Sequence, residues 1–438
     1  MLDTRENTKL NDFSSFDAAT AVRAADLFGT PVYIYDEELI LRRCRDCLEM
    51  PSAFGMTVRY AMKANSNRTL LKLITGAGLH LDASSLNEVL RAHMAGVPYH
   101  KIMLTTQEIL QGEQIAKLEE LLLQGLKYNA CSLRQLSLIA DFAAAHGIDP
   151  GIRVHPGIGS GESSTRNTGD DYACFGVHLS DVGSALELMN KRNLRFRHIH
   201  THIGSGADSD MWRQNIDLEL SIIEEYFPDA ETVCFGGGLK EARMPDEESA
   251  DIALLGNYAK EKIEGFFEKT GRKLKMEIEP GTYIVANSGY AVTRVIDKKS
   301  TSRSNFIIID GGMEINSRPL LYGSRHPVYI ISSGDAHVMS SEFSSIGGSY
   351  EAVVAGKCCE SGDCQTLCPD GHSMTRAMAE PEIGDVAVIG GVGAYCSSMA
   401  PFNYNSHAQV PEVLYMASGD LKLIRRRQTL EQILENEL

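Results

Sequence analysis

Between residues 57 and 281 the chain repeats one unit eight times: a short β-rich apolar run, then a segment with apolar residues at helical spacing. The runs are Thr57–Lys63, Leu79–Ser84, Lys101–Thr106, Lys127–Ser132, Gly151–Pro156, Phe196–Gly204, Thr232–Gly238 and Lys273–Gly281. Segments such as Ser85–Met94, Glu113–Gln124 and Leu133–His146 lie between them. Few architectures accommodate eight such units in series. They predict an α/β fold, a (β/α)8 barrel of about 225 residues, close to the usual size. A doubly wound open sheet is the alternative, because periodicity counts units without showing closure.

Past Gly281 the texture changes. Val285–Val295, Asn305–Asp310, Pro327–Ser332, Tyr350–Cys358, Val386–Gly390 and Glu412–Met416 read as strands between turn-rich segments. They predict an antiparallel β domain of sandwich or Greek-key type. Before the repeat, Thr30–Asp36 reads as a short strand and Glu37–Leu48 as a helix. The expected division is a lead-in over 1–36 partly packed on the β domain, a barrel over 37–283, and the β domain over 284–438. Two domains also suit 438 residues better than one core. The end, Leu423–Leu438, reads as an amphipathic helix with Arg425, Arg426 and Arg427 on a solvated face.

A net charge of −16 argues against a nucleic-acid partner, since binding a phosphate backbone requires a basic face. No stretch reaches the roughly 18 apolar residues that would span a membrane. The polar start, Met1–Leu10, lacks the apolar core of a secretory signal, and ten cysteines in so long a chain are too dilute for a disulfide scaffold. A cytoplasmic location and a small-molecule partner are expected.

In a barrel of this kind the active face is where the strands end. Lys63 ends the first run, Asp82 and Ser84 the second, and His155 lies at the end of the fifth. His202 and Ser205 follow the sixth, Gly236, Gly237 and Gly238 the seventh, and Glu279 the eighth. A lysine at the end of a buried strand loses solvation, which frees its amine to attack a carbonyl. Glycines let backbone N–H groups approach a phosphate, and Ser205 adds a hydroxyl donor. A reactive lysine, a phosphate cradle, an imidazole face and a carboxylate together are what pyridoxal phosphate asks of a protein. Glu279 suits the pyridine nitrogen, which must stay protonated for the ring to accept electrons.

The motifs that complete this picture are Tyr60-Ala61-Met62-Lys63-Ala64-Asn65, His202-Ile203-Gly204-Ser205-Gly206, Gly236-Gly237-Gly238, Glu279-Pro280-Gly281, Arg318-Pro319-Leu320-Leu321-Tyr322-Gly323, Cys359-Glu360-Ser361-Gly362-Asp363 and Gly393-Ala394-Tyr395. With them the chain resembles the diaminopimelate decarboxylase family, whose relatives include ornithine and arginine decarboxylases and, more distantly, alanine racemase. The resemblance implies that Lys63 bonds to the cofactor aldehyde, His202 stacks on the ring, and Ser205, Gly238 and Tyr395 hold the phosphate. It implies a homodimer with shared active sites, in which Cys359 and Glu360 act on the neighbouring subunit. Cys359 would return a proton to the α-carbon, and Glu360 would hold a distal ammonium. Arg318 and Tyr322 would bind a distal carboxylate, so meso-diaminopimelate is the expected substrate and L-lysine and CO₂ the products.

Two departures bear on specificity. The family usually has arginine after Glu-Pro-Gly, where this chain has Thr282, and a lysine is common in the segment held here by Ala173-Cys174-Phe175. Another diamino acid or a D-amino acid is therefore the alternative substrate. The glycine- and serine-rich Gly157–Asp171 reads as a lid. Cys358, Cys359, Cys364, Cys368 and His372 form a compact set that could ligate zinc, but their spacings do not match paired C-x₂-C knuckles, and no metal is expected.

Overall fold

The computed structural model describes residues 9–159, 167–170, 172–206, 208–344, 346–368 and 370–438. The chain forms two compact units: Arg43–Glu241 with Ser249–Tyr283, and Met1–Arg42 with Ala242–Glu248 and Ile284–Leu438.

The first unit is the barrel. Its strands are β1 (Met56–Ala61), β2 (His80–Ala83), β3 (Ile102–Thr105), β4 (Lys127–Ala130), β5 (Gly151–His155), β6 (His198–His200), β7 (Thr232–Cys234) and β8 (Lys275–Ile278). Every neighbouring pair is parallel, and β8 returns to β1 with Met276 opposite Met56. That closure removes the open-sheet alternative. Each of the eight runs read from the sequence coincides with a strand that is shorter than the run; the first strand starts one residue ahead of its run, at Met56, and the other seven lie within theirs. Helices between strands start where a side chain can take an orphaned N–H: Ser85 accepts from Glu88, Ser132 from Gln135, Asp208 from Met211 and Asp251 from Leu254. Along β6, β8 and their continuations, inward residues recur every second position: His198, His200, and Glu277, Glu279.

The second unit is built on a ten-stranded sheet. Val32–Asp36, buried at every position, runs antiparallel to Gly289–Ser300 on one side and parallel to Glu412–Tyr415 on the other. Asn305–Ile309 pairs in parallel with Tyr350–Ala355, and the remaining pairings are antiparallel. The helix Ala18–Phe28, capped by Asp17, lays Ala21, Ala24 and Ala25 against Ile34, Tyr290, Tyr329 and Val413 in this unit's core.

The C-terminus differs from the expected helix. Leu421–Arg425 is a strand paired with Glu412–Tyr415, and the helix shrinks to Leu430–Leu434, opened by a Thr429–Gln432 capping box. The reason is the buried carboxylate of Glu412, which needs a cation: Arg425 Nη1 lies 3.2 Å from it. Arg427 donates to the carbonyl of Pro31 at 2.9 Å. Two of the three arginines are thus bonded within the unit instead of forming a solvated helical face. No helix among the described residues is long and apolar enough to cross a membrane.

Candidate active site

At the C-terminal ends of the strands, β1 stops at Ala61 and turns into a single 3-10 turn, Met62–Ala64. Lys63 therefore stands on the turn after the strand, with its side chain exposed. The side chain is not enclosed, contrary to the expectation of a desolvated lysine at a strand end. The charge of Lys63 acts instead on Asp82, Glu88 and His202. Burial, reinforced by the Glu279 charge, raises the pKa of Asp82 well above the usual carboxylate range, while Lys63 opposes it. Glu88 is pushed up by burial and restrained by the Ser84 N–H, which it accepts at 2.7 Å.

Across the barrel, Gly236, Gly237 and Gly238 follow β7. Gly236 has φ +69°, and a Cβ there would stand 2.6 Å from the Thr201 carbonyl. A Cβ on Gly237 would stand 2.5 Å from the Glu279 carbonyl. No side chain fits either position, and the backbone is left bare toward the site. The Gly237 N–H donates to His202 Nδ1 at 3.1 Å, so the neutral imidazole carries its proton on Nε2. Burial, then the charges of Arg153 and Lys63, hold the His202 pKa well below its ordinary value. His202 thus presents a neutral, oriented ring. Ser205 is half-buried directly after the positive-φ Gly204, which bridges to Asn167.

Glu279, one residue past β8, donates its own N–H to Gly236 O at 2.8 Å. Burial alone would protonate its carboxyl, but His200, 3.2 Å away, outweighs burial and holds the pKa down to about 2. The carboxylate is ionised. His155 Nε2 meets the carbonyl of Ala173 at 3.0 Å while Nδ1 accepts the Gly157 N–H at 3.1 Å. It ties both bases of the segment read as a lid, of which residues 160–166 and 171 lie outside the described residues.

In the second unit, Arg318 opens the helix Arg318–Tyr322 and is 1% exposed, its guanidinium 5.6 Å from the Tyr322 ring centroid. Burial, then the neighbouring Arg243 charge, lowers its pKa to about 10. Tyr395 is half-buried and holds φ +57°, an uncommon state for a non-glycine residue and one often found at functional positions. Cys359 and Glu360 are exposed. The Cys359 N–H donates to Asn405 Oδ1 at 2.7 Å, and the Tyr404 hydroxyl donates to Glu360 Oε2 at 3.4 Å. The Gly362 N–H and the Ser361 hydroxyl keep the Glu360 pKa below its ordinary value.

The five-member zinc set is dispersed. Cys364 is buried beside Val353 and Leu367, and the Cys358 thiol donates to Glu314 Oε2 at 3.3 Å. Three groupings of potential ligands form among the described residues: His198 with Cys234 and Glu277, His200 with Cys234 and Glu279, and Glu314 with Cys358 and Asp363. Only the last includes a member of the five, and both Asp363 oxygens there already accept backbone N–H groups from Met313 and Cys358.

Several mouth residues escaped the sequence reading. His200 faces Glu279, Cys234 donates its thiol to Glu279 Oε1 at 3.5 Å, and Arg153 sits 5.2 Å over Phe175 with its charge acting on His202. The two-residue spacing of His198, His200 and His202, matched by Glu277 and Glu279, was the available signal. A cavity of about 260 Å³ lies at the opposite end of the barrel, lined by Lys127, His198, Lys275 and Glu277 among others, away from Lys63.

The model of the pyridoxal-dependent decarboxylase family, pyridoxal binding domain, matches residues 38–286. A diaminopimelate decarboxylase of Escherichia coli K12 is 33% identical, covering 96% of this chain and 97% of its own. A crystal structure of a diaminopimelate decarboxylase superposes with TM-score 0.86 at 32% identity, covering 96% of both chains. That of the Helicobacter pylori enzyme complexed with L-lysine gives TM-score 0.77 at 26% identity, over 95% of this chain and 98% of the other. The mouth fits pyridoxal phosphate in kind: a primary amine at Lys63, a backbone cradle too tight for side chains at Gly236 and Gly237, and an ionised carboxylate at Glu279. The chain belongs to the diaminopimelate decarboxylase family and is a pyridoxal-phosphate-dependent amino-acid decarboxylase.

Proposed function

We propose that the protein decarboxylates meso-2,6-diaminopimelate to L-lysine and CO₂, as a step of lysine biosynthesis. The observation that carries this choice is Arg318, a buried planar cation braced on Tyr322. A fixed guanidinium suits two-point binding of a carboxylate, and diaminopimelate has a distal carboxylate that lysine and ornithine lack. Relatives named diaminopimelate decarboxylase over nearly the whole chain support the same substrate, as does the relative described in complex with L-lysine.

When bound, pyridoxal phosphate supplies the electron sink for the pair left behind by CO₂. In this proposal Lys63 would hold the cofactor through its aldehyde. His202, neutral and oriented by the Gly237 N–H, covers the ring face. Ser205, the backbone of Gly236, Gly237 and Gly238, and Tyr395 would hold the phosphate, and Glu279 would keep the ring nitrogen protonated. Cys359 Sγ delivers the proton that replaces CO₂ on the α-carbon, and Glu360 holds the distal ammonium. Their exposure on the β unit suits a homodimer in which each copy completes the other's site.

Thr282 favours a second reading: a related decarboxylase of another diamino acid or a D-amino acid. Where the family's arginine supplies charge and five donors, threonine supplies one hydroxyl. Product detection over meso-diaminopimelate, ornithine, lysine, arginine and their D-forms separates the two. Formation of lysine from meso-diaminopimelate at the highest kcat/KM in the panel supports the first, and preference for a substrate without a distal carboxylate replaces it.

A further inference from the structure

Asn129 Nδ2 lies 2.7 Å from His200 Nδ1. An amide nitrogen only donates, so Nδ1 accepts, and the proton of the neutral imidazole is left on Nε2. Nε2 is the atom facing Glu279 Oε2 at 3.2 Å. The contact is close but bent out of hydrogen-bond alignment, a looseness common in sites that tighten when their ligand binds. Asn129 and His200 are 0% and 1% exposed. Nδ2 also reaches Thr105 Oγ1 at 3.4 Å, and Oδ1 has no hydrogen-bond partner among the described residues.

The far side of the carboxylate is held by Cys234, whose thiol donates to Glu279 Oε1. Burial, then the Glu279 charge, keeps that thiol protonated. Burial and the charge of Arg153 oppose a second proton on His200, against the pull of Glu279.

Resting on Glu279 as the partner of the ring nitrogen, we propose that Asn129 and His200 are positioning residues of this reaction. Asn129 fixes the tautomer of His200, and His200, as a neutral donor, orients the Glu279 carboxylate without neutralising it. The negative charge is thereby reserved for the pyridinium.

The test compares His200→Leu, His200→Gln, Asn129→Asp and Glu279→Gln in the full-length protein, each first checked for folding by circular dichroism. Two readouts are taken: affinity of the apoprotein for pyridoxal phosphate, and the pH dependence of the bound cofactor's visible absorbance. Glutamine can accept from Asn129 and donate to Glu279, so His200→Gln should retain affinity within about threefold, whereas His200→Leu should lose about tenfold or more and shift the absorbance profile. In Asn129→Asp the new oxygen accepts from Nδ1 and reverses the tautomer, so this variant should shift the profile as well. Wild-type values in both His200→Leu and Asn129→Asp, or equal damage in His200→Gln and His200→Leu, would overturn the proposal. Glu279→Gln separates the two levels. If it leaves the absorbance profile unmoved, the assignment of Glu279 itself falls; if it moves the profile while His200→Leu does not, only the role of His200 falls.

Discussion

Arg59 Nε lies 2.7 Å from Glu277 Oε1 inside the barrel, with both side chains buried, and His198 Nε2 reaches the same oxygen at 2.9 Å. Burial alone would raise the pKa of Glu277, but Arg59 and then His198 hold it far below the usual range. A pair like this adds little over a hydrophobic core while intact, yet breaking it strands a buried charge. Arg59→Met should therefore destabilise the barrel by about 3–5 kcal/mol at pH 7. Denaturation followed at Trp212, the sole tryptophan and itself buried, reports the effect.

The same pair sets a pH dependence. Because the folded pKa of Glu277 is depressed, its contribution is complete above the unfolded value of about 4.3 and is lost progressively as pH falls from about 5 downward. The stability gap between wild type and Arg59→Met should narrow over that window. A gap that stays constant from pH 7 to pH 4 would mean that Glu277 is not the group responsible.

Gly237 has the tightest approach to the catalytic end of β8. A Cβ would meet the Glu279 carbonyl at 2.5 Å, so Gly237→Ala must move one backbone against the other, at a cost of about 1–3 kcal/mol. It should also loosen the Gly237 N–H bond to His202. The expected outcome is a lower melting temperature together with weaker cofactor binding. A variant that melts lower but binds pyridoxal phosphate as the wild type does would remove the glycines from the phosphate cradle.

The eight strands were legible because most runs end on a small or polar residue; their closure was not, since periodicity only counts units and the β8–β1 pairing had to be seen. Nor were their ends. Phe196–Gly204 yields only His198–His200, since beyond it the chain leaves the sheet and Gly204 turns through φ +133°. Lys63 and Glu279 could be found from strand-end position. Arg153 could not, because a lone polar residue in a strand reads as a satisfied core residue until its partner is known; His200 had a signal in the alternation of His198, His200 and His202, but its partner Glu279 lies on another strand. The C-terminal strand was hidden for the same reason: Leu421–Arg425 makes sense only beside Glu412, which no local pattern announces.

The adjacent cysteines Cys358 and Cys359 should behave differently. Burial and Glu314 raise the pKa of Cys358 and its thiol is bonded, whereas Cys359 is exposed. A thiol-alkylating reagent should modify Cys359 first. Cys359→Ala should lower kcat by about 10²-fold or more, the usual worth of a positioned proton donor, while Cys358→Ala should leave kcat within a few fold. The opposite ranking in kcat would transfer the proposed proton delivery to Cys358.

Lys63 should be indispensable to cofactor retention. Lys63→Ala, reconstituted with pyridoxal phosphate and dialysed, should lose the visible absorbance of the bound cofactor and at least about 10²-fold in activity. Retention of that absorbance would require a different lysine to hold the aldehyde.

The most direct measurement is the fate of meso-2,6-diaminopimelate with the purified, cofactor-loaded protein, following L-lysine and CO₂ together. One L-lysine and one CO₂ for each diaminopimelate consumed, abolished in Lys63→Ala, is the expected result. A cofactor-loaded protein that leaves diaminopimelate intact while releasing CO₂ from ornithine, arginine or a D-amino acid would contradict the account.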